Sequence, residues 1–196
     1  MADVTLVNGA DPATWVWVPL EYPAGPWDSA EAWADETGRV LAAGTGDRAP
    51  GIAEAAHIVA TTATPFDGAV ARLWHAPQDG ATLNLAHVYL VDDDLRETEL
   101  SQLCLVGFES GALQRVFEIE HAGFDEAVGT LSVAFLAKGG RLFVERWLGR
   151  VGGALCIVEA IDADAARLEL VHEALRDLFL SLTRSERGGS GQRSPG

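Results

Sequence analysis

The chain has 196 residues, a formal net charge of −15, 48% hydrophobic and 22% charged side chains, the make-up of one ordinary globular domain able to bury a sizeable core. Its acidity repels phosphate backbones, which argues against direct nucleic-acid binding and favours a basic partner. Met1-Ala2-Asp3-Val4 lacks the basic start, apolar core and cleavage site of a secretory leader, and no apolar run reaches the length of a membrane span, so the sequence points to a cytoplasmic protein.

Residues 4–7 read as a short first strand ended by Asn8-Gly9. A second strand over 14–20 places Trp15 and Trp17 on one face, and the loop Glu21-Tyr22-Pro23-Ala24-Gly25-Pro26 follows. Trp15, Trp17, Tyr22 and Trp27 are the candidate partner-binding residues, because Trp and Tyr anchor interfaces; the same cluster also suits a core layer pinned under a loop. Asp28 or Ser29 caps a helix, with Glu31 in capping-box position and Gly44 at its end. The glycines of 44–51 lack the Gly-Lys-Ser/Thr ending of a phosphate loop. A second helix is expected over 52–62. Strands over 69–75 and 82–91 show no clean alternation, which suits burial on both faces.

Asp92-Asp93-Asp94 reads as a solvated acidic turn without the spacing of a calcium loop. A helical turn over 97–103, a strand over 103–108 and an alternating strand over 116–120 come next. Lys138-Gly139-Gly140-Arg141 lies between apolar runs at 128–137 and 142–148, which predicts an antiparallel hairpin closed by a two-residue Gly-Gly turn. Leu155, Ile157 and Ile161 mark the last strand. Leu168, Val171, Leu175, Leu178 and Leu182 recur at three- and four-residue spacing and predict one long helix, with Asp162 and Asp164 at its start and Arg184 and Arg187 at its end. Residues 185–196 form a flexible Gly/Ser-rich tail to a single domain over 1–184. The expected fold is α+β, a mostly antiparallel sheet of six to seven strands carrying N-terminal helices and a long C-terminal helix.

No Gly-x-Ser-x-Gly elbow, His-x-x-x-His pair or Cys-x-x-Cys pair occurs, and Cys104 and Cys156 sit in apolar runs as small buried hydrophobes. The sequence therefore identifies no catalytic residue, no metal ligand set and no cofactor. Arg72, His75, His87 and Glu118 are the candidate lining of a pocket between the sheet and the N-terminal helices, since His75 and His87 flank one predicted hairpin. Glu118, Glu120 and Glu145 are expected on the outer face of neighbouring strands, where Arg115 and Arg146 neutralise them.

The runs 128–137 and Gly139-Gly140-Arg141-Leu142-Phe143-Val144, with the Ala160-Ile161-Asp162 step into the 168–182 helix, give the last third of the chain a pattern that resembles the PsbP-like α/β/α sandwich superfamily, which includes DcrB-type proteins. The 15–27 entry extends the resemblance, and the extra strand over 154–161 departs from it. The resemblance implies a non-catalytic binding or chaperone-like module, secretion chaperones included, and no catalytic residues. Three functions stay open: an acidic adaptor or chaperone holding a protein partner on a sheet face or the Trp-rich region, a small-molecule-binding protein or small enzyme, and a structural subunit of an assembly such as a homo-oligomer.

Overall fold

A computed structural model of the chain describes residues 5–7, 9–77, 82–120 and 123–185. Its strands are β1 (Thr5–Val7), β2 (Trp15–Trp17), β3 (Ala69–His75), β4 (Leu85–Asp92), β5 (Gly111–Glu118), β6 (Glu126–Phe135), β7 (Arg141–Val151), β8 (Ala154–Asp162) and β9 (Thr183–Ser185). Seven of them form one antiparallel sheet in the order β2-β3-β4-β8-β7-β6-β5. The other two, β1 and β9, pair with each other, so the chain just past Leu182 returns to its own start. The rest of the predicted tail, residues 186–196, lies outside the described residues.

Helices α1 (Ala30–Ala42) and α2 (Ala49–Thr61) cover the β2–β4 end of one face. The Ser29 hydroxyl accepts from the Ala32 N–H at 3.2 Å, which satisfies one of the unpaired donors at the start of α1. Trp33, Ala34, Ala55, Ala56 and Val59 then bury against Val18, Trp74 and Leu85. Farther along this face a 3₁₀ turn, Leu100–Leu105, seats Leu100 and Leu103 on Val128, Leu148 and Leu155. Much of the predicted strand over 103–108 is therefore helical instead. Its apolar residues reach the sheet as a lid over β6–β8 rather than as a strand within it.

The opposite face carries α3 (Ala165–Glu169) and α4 (His172–Ser181). All five residues of the predicted stripe are at most 1% exposed. The single long helix does not form, however. The chain breaks at Leu170 and Val171, where Val171 has φ −103° and ψ −7°, and Leu170 turns outward to 69% exposure. A sheet twists beneath any straight helix laid along it, and the break lets Leu168 and Leu182 both stay on the core. Asp164 caps α3 by accepting from the Ala166 N–H at 2.9 Å.

Two glycine pairs exchange roles relative to expectation. In the 136–140 connection only Gly139 has positive φ, and the loop is five residues long between Phe135 and Arg141. The two-residue turn with both φ positive is instead Gly152-Gly153, between paired Val151 and Ala154. Asp93 is not a solvated turn residue. It is 4% exposed and accepts from Arg150 Nε at 2.8 Å. The two cysteines are free and buried, Cys104 in the 3₁₀ turn on one face and Cys156 in the core of the other.

Gly129 on β6 lies opposite Trp147 on β7, and a Cβ there would come 2.5 Å from the indole ring. Trp147 is 2% exposed and has no room to yield. Gly129→Ala is therefore expected to destabilise the domain by about 1–3 kcal/mol in urea denaturation; an unchanged midpoint would contradict this packing.

Candidate functional site

Sheet register decides which side chains meet. On the α1–α2 face one row crosses five strands: Arg72, His87, Glu159, Arg146 and Thr130 are successive cross-strand neighbours. All five are at most 4% exposed. Arg146 donates from Nε to Glu159 at 2.8 Å and from Nη1 to the carbonyls of Leu103, Cys104 and Val106 at 3.3, 3.2 and 2.8 Å. Its guanidinium lies over the Phe66 and Phe108 rings at 5.5 and 5.4 Å, and the two rings meet edge to face at 5.2 Å. Arg72 donates to the Thr62 carbonyl and, at 2.6 Å, to the Pro19 carbonyl. Both arginines thus satisfy backbone acceptors of irregular segments that have no ladder of their own. The row is a fastening that holds loops onto the sheet.

His87 sits between these cations with neither ring nitrogen hydrogen-bonded among the described residues. Burial, reinforced by the nearby Arg72 charge, pushes its pKa down to about 4. Burial and the neighbouring Glu159 carboxylate hold the Tyr89 phenol protonated well above its ordinary range. An unfolded histidine titrates near 6.5, so between that pH and about 4 the unfolded chain takes up a proton that folded His87 refuses. The contribution is complete above pH 6.5, and about 3 kcal/mol of it is lost as the pH falls to 4. Urea midpoints at pH 7 and 4.5 should show a smaller acid loss in His87→Gln than in wild type; parallel losses would exclude His87 as the source.

The other face offers an open surface. Three cross-strand rows run there from β5 to β8: Ala112, Val133, Phe143 and Asp162; Arg115, Leu131, Glu145 and Ala160; and Phe117, Gly129, Trp147 and Val158. Helices α3 and α4 pack chiefly on β7 and β8. Beyond them the β5–β6 end forms the floor of a trough, with Phe117 and Leu131 only partly buried and Phe135 50% exposed, and Phe143 of β7 partly buried at its margin. Arg115 and Arg141 lie over the Phe117 and Phe143 rings at 5.7 and 5.2 Å.

At the α4 side of the trough Glu145 is 2% exposed, and one of its oxygens meets both His172 Nδ1 and Trp147 Nε1–H at 2.9 Å. Burial pushes the Glu145 carboxyl up, while His172 and the Trp147 hydrogen bond pull it back. Above the pair is a hollow of about 410 Å³ lined by Phe117, Glu118, Ile119, Glu120, Trp147, His172, Glu173, Arg176 and Leu180. A histidine oriented by a buried carboxylate has the geometry of a general base, yet the lining supplies no Ser, Thr, Cys or Lys for it to activate. No group of three or more metal-ligating side chains occurs among the described residues.

The residues singled out from sequence scatter across this frame. Of the pocket set, Arg72 and His87 are direct neighbours in the buried row. His75 lies on the opposite face, its ring 5.2 Å from that of Trp15, and Glu118 is exposed at the end of edge strand β5. Of the aromatic set, Trp15 is core, while Tyr22 and Trp27 pack on the α1–α2 cluster, Trp27 donating to Glu36 at 2.8 Å. Trp17 alone of the four is largely exposed, at 54%. The expected outer-face ion pairs do not form. Glu145 and Arg146 are buried on opposite faces, with His172 and Glu159 as partners. That pairing of Glu145 with His172 had no sequence signal, because β7 is covered on both sides and shows no alternation to orient either residue.

No helix among the described residues is long and apolar enough to cross a membrane. No family model and no curated protein matches the chain. Among solved structures, a Pseudomonas aeruginosa protein of unknown function is similar over 53% of this chain and 74% of its own, with 12% identity and a TM-score of 0.43. Likeness at that level carries no functional inference.

Proposed function

We propose that the chain is a non-catalytic protein-binding module, an adaptor or secretion-chaperone-like protein, that holds a partner segment in the trough beside α4. The observation that carries this reading is the uncovered end of the sheet. Two strands of a seven-stranded sheet, β5 and β6, extend past their helical cover and present Phe117, Leu131 and Phe135 part-exposed on one face, with Phe143 of β7 partly buried beside them. Contiguous apolar surface of this kind marks interaction sites. The alternative of a small-molecule pocket at Arg72 and His87 has less support, because Arg72 and Arg146 already hold loops there.

A photo-crosslinking residue, benzoylphenylalanine, in place of Phe135 is expected to capture a discrete protein partner in cells, and the same residue at Ile58, 43% exposed on α2, is not. No adduct at position 135, or the same adduct at both positions, would remove the support for the trough.

A further inference from the structure

Strand β5 is an open edge of the sheet: it pairs with β6 on one side and with no strand among the described residues on the other. The Phe135 N–H donates to the Ser110 carbonyl at 3.0 Å, so the odd-numbered residues of β6 turn their backbone toward β5. Leu131 and Gly129 therefore bond to their register partners Arg115 and Phe117, and Val116 and Glu118 direct N–H and C=O away from the sheet. Natural edges are commonly blunted by proline or lysine. The eight residues of β5 include neither, and the one register shift, between Leu113 and Arg115, leaves 115–118 regular. Leu113 and Val116 stand 42% and 43% exposed on the face opposite the trough.

We infer that β5 pairs with the β5 of a second copy of this chain, antiparallel about a two-fold axis normal to the sheet. Such a contact must be self-complementary, and the side chains select its centre. An axis at Arg115 or Glu118 sets like charges face to face, which is destabilising. An axis at Phe117 sets Glu118 opposite Val116. An axis at Val116 makes the two valines a hydrogen-bonded pair through their outward N–H and C=O groups, and it places each Arg115 opposite the Phe117 of the other copy. Arg115 already lies over its own Phe117 ring at 5.7 Å, and the second ring offers the same attraction. The pairing does not depend on the protein-binding reading, and it sets the two troughs side by side on one face of a continuous sheet.

The test is the mass of the full chain by sedimentation equilibrium between about 1 and 500 μM, the range in which a small interface associates. The salt is about 0.15 M, which screens the mutual repulsion of two acidic chains beyond about 8 Å. The wild type is expected to pass from one chain to two. Val116→Pro removes an N–H that faces out of the sheet, a substitution an edge strand accepts, and should stay a single chain throughout with an unchanged circular dichroism spectrum. Val116→Glu and Val116→Lys, at an exposed position, should each stay single chains, while their equimolar mixture recovers the two-chain species, because a residue on the axis meets its own counterpart. A monomeric wild type, a Val116→Pro variant that dimerises like wild type, or a mixture that stays monomeric would overturn the inference; the first would leave the edge to an extended segment of another protein. A wild-type dimer without the Phe135 crosslink would retain the strand pairing and discard the protein-binding reading alone.

Discussion

Glu159→Ala is expected to destabilise the domain by about 3–5 kcal/mol, because it leaves the Arg146 guanidinium buried without its counter-charge. Glu159 is 0% and Arg146 2% exposed, so water has no access to repair the loss. The damage should also spread. Arg146 holds the carbonyls of Leu103, Cys104 and Val106 and lies over the Phe66 and Phe108 rings, so once unpaired it loosens its grip on the 100–108 segment and the 62–68 loop together. Urea denaturation reads the loss, and faster amide exchange over 100–108 reads its location. Because the pair is shielded from counter-ions, the effect should persist in molar salt. A loss below 1 kcal/mol would mean that the row does not fasten the loops.

Leu175→Asp should leave no folded protein at 25 °C. Leu175 is 0% exposed at the centre of the stripe that seals α4 to the sheet. Truncating such a leucine costs about 2–5 kcal/mol, and a carboxylate placed there without a partner adds a desolvation penalty of several more. The sum reaches the whole stability of a typical domain, about 5–15 kcal/mol. Loss of the near-ultraviolet circular dichroism signal reports the outcome. A cooperative melt within a few degrees of wild type would show that α4 does not close this core.

Local chemistry made much of the fold legible. The Ser29 cap, the 168–182 stripe and the alternation at 116–120 each depend on residues a few positions apart, and each appears in the structure. The break at Leu170 was invisible, because it answers to the twist of a sheet that the helix sequence does not encode. The buried row was invisible for a related reason. Arg72, His87, Glu159 and Arg146 meet only through the register of four strands. His75 and His87 flank one hairpin, yet the register that pairs Arg72 with His87 places His75, three residues on, facing the other way. The aromatic cluster at 15–27 reads as a binding surface because tryptophan is common both at interfaces and in cores; here Trp15 is core, Tyr22 and Trp27 pack partly buried on the α1–α2 cluster, and Trp17 is largely exposed. The trough exists only because α3 and α4 end over β7, a fact about where elements land rather than what they contain.

The proposed binding face lies on β5 and β6, at the opposite edge of the sheet from Trp17. Phe135 and Trp17 are exposed to 50% and 54%, so a charge at either leaves the fold intact, and circular dichroism should confirm this for both. The deciding measurement is the affinity of Phe135→Glu and Trp17→Glu for the partner captured at position 135. At least a ten-fold loss in Phe135→Glu with near wild-type affinity in Trp17→Glu is the predicted result. Retained affinity in Phe135→Glu together with loss in Trp17→Glu would contradict the account and return the binding surface to the N-terminal aromatics.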